Sequence, residues 1–175
     1  MDQRDEQEFA EYFTARRDAV RRSAFLLCGD WHRADDLAQH AFVALHRHWN
    51  GIRDRGALDA YVRRSLVRAV IDESRRPWRR ERFTDAVPET SDVAGGAAEI
   101  GEAVATRTTL VGALRRVPPR QRAVLVLRFL DGLDVADTAA ALGCTAGTVK
   151  SQTAKGLAAL RAELGEALDD LRPAS

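Results

Sequence analysis

Residues 135–155, Val-Ala-Asp-Thr-Ala-Ala-Ala-Leu-Gly-Cys-Thr-Ala-Gly-Thr-Val-Lys-Ser-Gln-Thr-Ala-Lys, decide the fold. A short apolar helix, Val135–Leu142, runs into a turn at Gly143. A second helix follows, opening on small polar residues and carrying no acid between Cys144 and Ala162. This is the pattern of a helix-turn-helix. Ala139 and Ala140 are small enough for the second helix to cross closely, Leu142 and Val149 supply the apolar hinge, and Thr145 caps the second helix. The exposed side of that helix then carries Thr145, Thr148, Lys150, Ser151, Gln152 and Lys155. Gln pairs with adenine edges, and Lys reaches guanine or phosphate, so these residue types suit a major groove.

Working outward, the rest of the chain is also helical in period. Phe9, Phe13, Val20, Ala24 and Leu27 recur at three- to four-residue steps and predict one helix that stops at Gly29. Leu37, Ala41, Phe42 and Leu45 predict a second helix from about His32 to Trp49, broken by Asn50-Gly51. Tyr61, Val62, Leu66, Ala69 and Val70 predict a third, from about Ala57 to Ser74, closed by Pro77. Residues 83–103, with Pro88, Gly95-Gly96 and scattered acids but few large apolar side chains, predict a flexible linker. Beyond it, Leu110, Leu114 and Val117 lead through Pro118-Pro119 to a helix over Arg120–Leu130 and then to the helix-turn-helix. No run alternates as a strand would. The expected fold is all-α: two small helical domains, 5–82 and 104–170, joined by the acidic linker 83–103.

Charge is sorted in the same way. The 175 residues carry a formal charge of +1. Residues 1–80 and 107–175 each carry a net +3, and residues 81–106 carry −5. No window offers the roughly 20 apolar residues of a membrane span, and the polar N-terminus is not a secretory signal. Cys28 and Cys144 stand apart, outside any CxxC or Cys/His cluster, which excludes a zinc finger or disulfide scaffold and fits a reducing compartment. His46 and His48 lie two apart on a helix and point to different sides. There is no phosphate loop, nucleophile elbow or triad. No metal, no cofactor and no catalytic residue is expected, and the chain does not read as an enzyme.

Two longer stretches carry a family resemblance. Leu114–Arg128 (LRRVPPRQRAVLVLR), Asp131-Gly-Leu133, Leu142-Gly143, Gly147-Thr-Val-Lys-Ser151 and Gly156–Arg161 (GLAALR) resemble region 4 of the sigma-70 family of RNA polymerase sigma factors over about fifty residues. The resemblance implies that this helix-turn-helix binds the minus-thirty-five promoter element, with Arg120 and Arg122 adding basic contacts. The sequence departs from the family pattern at Asp137-Thr138-Ala139 and at Gln152, so the promoter sequence it reads does not carry over from relatives.

Residues 34–46, ending near Trp49, resemble the family's region 2 helix that docks on core RNA polymerase. By that resemblance Asp35, Asp36, Gln39 and Phe42 belong to the polymerase-binding set, although Phe42 also suits inward packing. Residues 51–57 correspond to the loop that captures a flipped promoter base, with Asn50, Arg53, Asp54 and Arg55 as available polar groups. The helix after it, with Arg64, Arg68, Arg75 and Arg76, belongs to an arginine-rich stretch, Arg63–Arg82, of net +5. Such a stripe suits phosphates, and Tyr61 or Trp78 can stack on an unpaired base. Arginine is also this chain's ordinary solvent residue, 25 Arg against 2 Lys, which is the bland explanation of the same stripe.

Two regions with only a linker between them resemble the extracytoplasmic-function group. The resemblance implies a cytoplasmic, monomeric factor whose partners are core RNA polymerase, promoter DNA and an anti-sigma factor. Two other readings fit the residues: a stand-alone helix-turn-helix regulator, which leaves residues 34–49 unexplained, and an adaptor that binds polymerase or an anti-sigma factor with weakened base readout.

Overall fold

The computed structural model of the chain describes residues 2–75 and 99–170, with side chains over 2–75 and 106–165. Among these residues there are seven α-helices and no strand. None of the helices is long and apolar enough to cross a membrane.

Helix α1 (Gln3–Cys28) opens on Asp2, whose side chain accepts from the Asp5 amide, and carries Asp5 and Glu6 in its first turn. Both features satisfy or complement the exposed amides there. It ends at Gly29, whose φ of 76° is the left-handed conformation a residue with a Cβ rarely adopts. Asp30 immediately caps α2 (Trp31–His48), accepting from the Arg33 amide. A reversal this short lays α2 antiparallel on α1. Two 3-10 turns, Trp49–Gly51 and Arg55–Ala57, lead to α3 (Leu58–Ser74). Leu27, Leu45, Trp49 and Val62, each almost wholly buried, centre this three-helix unit. Each such side chain contributes on the order of 1.5–3 kcal/mol.

The second unit comprises α4 (Glu99–Arg116), α5 (Pro119–Leu125), α6 (Val135–Leu142) and α7 (Ala146–Asp170). Pro119 stands at the first position of α5, where its fixed φ is already helical. After α5 the chain widens into a π-type turn over Val126–Leu130, closed by the Asp131 amide on the Val126 carbonyl, where the sequence predicted a continuous helix to Leu130. Helix α4 starts at Glu99, inside the span predicted as linker. The two glycines that break helices, Gly95 and Gly96, lie before that start, and Glu99 and Glu102 fall in the first turn, where acids favour a helix. The remainder of the predicted linker, together with Arg76, Pro77 and Trp78, lies outside the described residues.

The two units do not merely hang on a connector. Val111, Ala123, Val126 and Leu127 of the second unit are buried in one apolar cluster with Ala24, Leu27, Leu66, Val67 and Val70 of the first. Helical periodicity identifies a buried face without identifying what covers it, and here part of the cover comes from the other unit.

Candidate nucleic-acid interface

Helix α7 sorts its residues by angle. Val149, Thr153 and Gly156 point inward. Val149 is fully buried beside Val124 and Ala139. The Thr153 hydroxyl donates back to the Val149 carbonyl at 2.7 Å. A Cβ on Gly156 would stand 3.3 Å from the Gln121 carbonyl oxygen and 3.2 Å from Leu125 Cγ, so α5 and α7 meet backbone to backbone there. Thr148, Ser151, Gln152 and Lys155, at steps of three and four, line a neighbouring face. Ser151 and Lys155 are exposed and Thr148 and Gln152 half-buried, with exposed Lys150 on the flank. Thr145 does cap the helix, its hydroxyl accepting from the Thr148 amide at 3.1 Å, and the two hydroxyls lie 2.9 Å apart. Gly143 at φ 63°, where the sequence placed the turn, and Asp134, which accepts from the Asp137 amide, fix the ends of α6.

Arg120 and Arg122, read alike in the sequence, part company. Arg120 is exposed. Arg122 is interior, 7% exposed, with its guanidinium donating to the carbonyls of Leu27, Arg115 and Val117 at 2.7–3.3 Å. The expected basic contact is therefore corrected: Arg122 offers DNA no surface in this arrangement. Burial lowers its pKa to about 10, so it stays cationic at neutral pH.

On α3, Arg64, Arg68 and Arg75 are exposed and fall on one side of the helix, at steps of four and seven, with Val62, Leu66 and Val70 buried on the other. Tyr61 is half-buried, its hydroxyl on the Ala44 carbonyl at 3.4 Å and its ring 5.8 Å from His48. In the loop before α3, Asn50 and Arg53 are exposed. Asp54 is committed to the turn, accepting from the Gly56 amide. Arg55 is committed as well. Its guanidinium donates to the Trp49 and Ile52 carbonyls at 3.1 and 3.0 Å, pairs with Asp5 at 2.9 Å and Glu8 at 3.3 Å, and lies 4.3 Å over the Trp49 ring. It ties the loop to α1, a role the sequence did not disclose because every partner but its own loop is some fifty positions away.

Three of the predicted docking residues of α2, Asp35, Gln39 and Phe42, line a groove between α1 and α2, of about 700 Å³. Asp35 and Gln39 are exposed at its edge, and Asp35 is paired with Arg21, which holds its carboxyl below the usual range. Asp36 is exposed on α2. Phe42 is 5% exposed, edge-on to Phe13 at 4.9 Å, and forms the floor rather than a projecting contact. Exposed Phe13 and Val43 make the groove apolar, and the contribution of α1 through Phe9, Phe13 and Arg17 is one the sequence reading missed. A phenylalanine pair at i and i+4 facing the same way was the available signal.

Comparison with known proteins follows the same division. The family described as Sigma-70 region 2 matches residues 12–80, and that described as Sigma-70, region 4 matches residues 107–160. The chain is 40% identical to an RNA polymerase sigma-E factor of Streptomyces avermitilis, over 90% of this chain and 85% of that protein. It is 32% identical to the ECF RNA polymerase sigma factor SigM of Mycobacterium tuberculosis, over 92% and 79%. Among solved structures it resembles the sigma factor RpoE of Bartonella quintana, crystallised with the anti-sigma factor NepR, with a TM-score of 0.68 at 20% identity, over 91% of this chain and 98% of that one. That likeness shows a shared fold.

Proposed function

The chain belongs to the sigma-70 family of RNA polymerase sigma factors, within the extracytoplasmic-function group, and we infer that its three surfaces divide the work of transcription initiation. The α1–α2 groove, with Asp35, Asp36 and Gln39 along α2, docks on core RNA polymerase. The side of α3 bearing Arg64, Arg68 and Arg75, with Asn50 and Arg53 in the loop before it, holds the melted minus-ten strand, where cations along one face follow a phosphate backbone. Helix α7 reads the minus-thirty-five duplex through Thr148, Ser151, Gln152 and Lys155, with Lys150 and Arg120 on flanking phosphates. Arg55 and Arg122 drop out of the DNA-reading set and serve the scaffold.

The observation that carries this reading is the sorting of α7, whose packing residues and groove-compatible residues occupy separate faces. The factor works in the cytoplasm beside the polymerase, which supplies the chemistry, and an anti-sigma factor is its expected antagonist. Each DNA surface is small, so affinity comes from engaging both at once on the polymerase.

The test is initiation by purified chain and core polymerase on fragmented genomic DNA, with transcript starts sequenced. Starts sharing two upstream elements and absent with core alone are expected. Co-elution with core but no starts would favour the adaptor reading, and neither would leave an ordinary DNA-binding regulator.

A further inference from the structure

Residues 49–59 lead from α2 into α3 and leave Asn50 and Arg53 exposed. Their backbone closes two short turns, with the Ile52 amide on the Trp49 carbonyl at 3.2 Å and the Ala57 amide on the Asp54 carbonyl at 3.0 Å. A connection with so few internal bonds is ordinarily mobile. Here both of its ends are fastened to one side of α1.

Asp5, Glu8, Tyr12 and Arg16 follow one another at steps of three and four, so they share a side of that helix. Asp5 Oδ1 accepts from the Trp49 indole at 3.3 Å and from the Arg55 guanidinium at 2.9 Å, and Glu8 accepts from Arg55 at 3.3 Å. Two turns further along, the Tyr12 hydroxyl donates to Asp59 Oδ1 at 2.8 Å and the Arg16 guanidinium pairs with Oδ2. Both carboxylate oxygens of Asp59 are therefore held, and Asp59 stands in the first turn of α3. Between the two fastenings, Phe9 meets the buried Trp49 ring edge-on at 5.3 Å and Tyr12 lies 6.4 Å from it. The segment is tied where it leaves α2 and where it enters α3, by side chains 43 to 50 positions upstream.

These contacts do little to hold the fold. Exposed ion pairs add little to stability, and the side chains of Arg16 and Arg55 are 47% and 38% exposed. What a row of such contacts does fix is a position. A loop ordered in advance does not incur the cost of ordering on binding, and an unstacked base is captured where the groups that read it already converge.

We propose that the Asp5–Arg16 side of α1 is a splint that sets residues 49–59 for base capture before DNA arrives, and that Tyr12, Arg16 and Asp59 are positioning residues for promoter opening. The proposal rests on the reading of α3 and its preceding loop as the surface for the melted minus-ten strand.

Tyr12→Phe and Arg16→Gln each release one oxygen of Asp59 and leave the aromatic packing of α1 in place. Each is assayed as holoenzyme with core polymerase on a fluorescent single strand covering the minus-ten element of a promoter mapped with the wild-type chain. The same strand is then offered with each other base at its most selective position. The expected result is a loss of about five-fold in affinity for the matched strand and a narrowing of base discrimination, with co-elution with core unchanged. In an Asp59→Asn background, Arg16→Gln is expected to add little, because the partner it served has already lost its charge. Base discrimination as sharp as in wild type, or a loss of core binding in parallel with strand binding, overturns the splint. A wild-type chain that maps no promoter or binds no matched strand sinks the minus-ten reading itself, whereas a wild type that binds and variants that equal it sink the splint alone.

Discussion

The guanidinium of Arg122 donates to the carbonyl of Leu27 at 2.7 Å across 95 positions of sequence. Replacing it by Met keeps much of the stem but removes the donors of three carbonyls. An orphaned buried acceptor costs about 1–3 kcal/mol, and relief of the desolvated cation offsets part of the sum. Arg122→Met is expected to lower stability by about 2–4 kcal/mol in urea unfolding. Arg122→Lys is expected to recover only part of that, because an ammonium lacks the planar fork that reaches several carbonyls together. A midpoint unchanged in Arg122→Met would mean that water satisfies those carbonyls and the cation holds nothing.

Asp131, which accepts from the Ser23 hydroxyl of α1 at 2.8 Å, gives the contact between the two units a pH dependence. Burial raises its pKa, against smaller opposing effects of the Ser23 hydroxyl and Arg63. The folded state therefore holds this proton more tightly than the unfolded chain. Its contribution to stability is fully present below the ordinary value of 3.8 and is lost as pH rises through the higher folded value. Asp131→Asn keeps an acceptor for Ser23 and removes the titration. It is expected to melt higher than wild type at pH 7 and to flatten this part of the pH profile, as read by calorimetry at several pH values. The same slope in both proteins would place the titrating group elsewhere.

For α7, Lys150→Ala and Lys155→Ala are expected each to weaken binding of the polymerase-bound factor to promoter DNA by about 1–3 kcal/mol if the lysine reads a base. If it contacts phosphate, the loss is instead uniform across sequences, with the salt slope reduced by about 1. Co-elution with core polymerase is expected to be unchanged. Salt titrations on matched and mismatched promoters separate the two lysines, and unchanged initiation in the double variant would show that this face does not read DNA.

Gly156→Ala sets two effects against each other. Alanine is the better helix former by about 1 kcal/mol. Its Cβ would lie 3.3 Å from the Gln121 carbonyl oxygen, a backbone atom that yields only if α5 moves. Crowding of this kind costs typically 1–3 kcal/mol, so a net loss of about 1 kcal/mol is expected in thermal unfolding. A gain would show that α5 and α7 separate at little cost.

Arg55→Ala is expected to cost about 1 kcal/mol, since exposed ion pairs contribute little and the cation–π contact over Trp49 adds about 0.5–1 kcal/mol. Its larger expected effect is on melting of minus-ten DNA, through loosening of residues 49–57. Permanganate reactivity of unpaired thymines in the bubble measures this. Full reactivity would confine Arg55 to stability.

The helices were legible because their ends are spelled locally. Gly29, Gly143 and Thr145, all read from the sequence, each terminate or cap an element through atoms within a few positions, as do Asp30 and Asp134, which the sequence reading did not single out as caps. The exposed site residues were legible for the same reason, since a polar face shows in the periodicity. Arg122 and Arg55 were not. Both sit in runs that read as basic surface, and what buries or binds them are carbonyls and carboxylates supplied by distant turns. The apolar contact between the units was illegible as well, because Val126 and Leu127 look like core in either unit. Phe42 stood between the two cases, with its burial foreseen and its place as a groove floor set by Phe13.

The separation of faces on α7 has an evolutionary consequence. Val149, Thr153 and Gly156 carry the packing, whereas Ser151, Lys150 and Lys155 touch solvent. On the proposed reading, substitution at Ser151 or Lys155 changes the address the protein reads, and at Lys150 the strength of its grip, at almost no penalty to its folding. A duplicated copy of such a chain can drift to a new set of genes one exposed residue at a time, with every intermediate still folded and still able to dock.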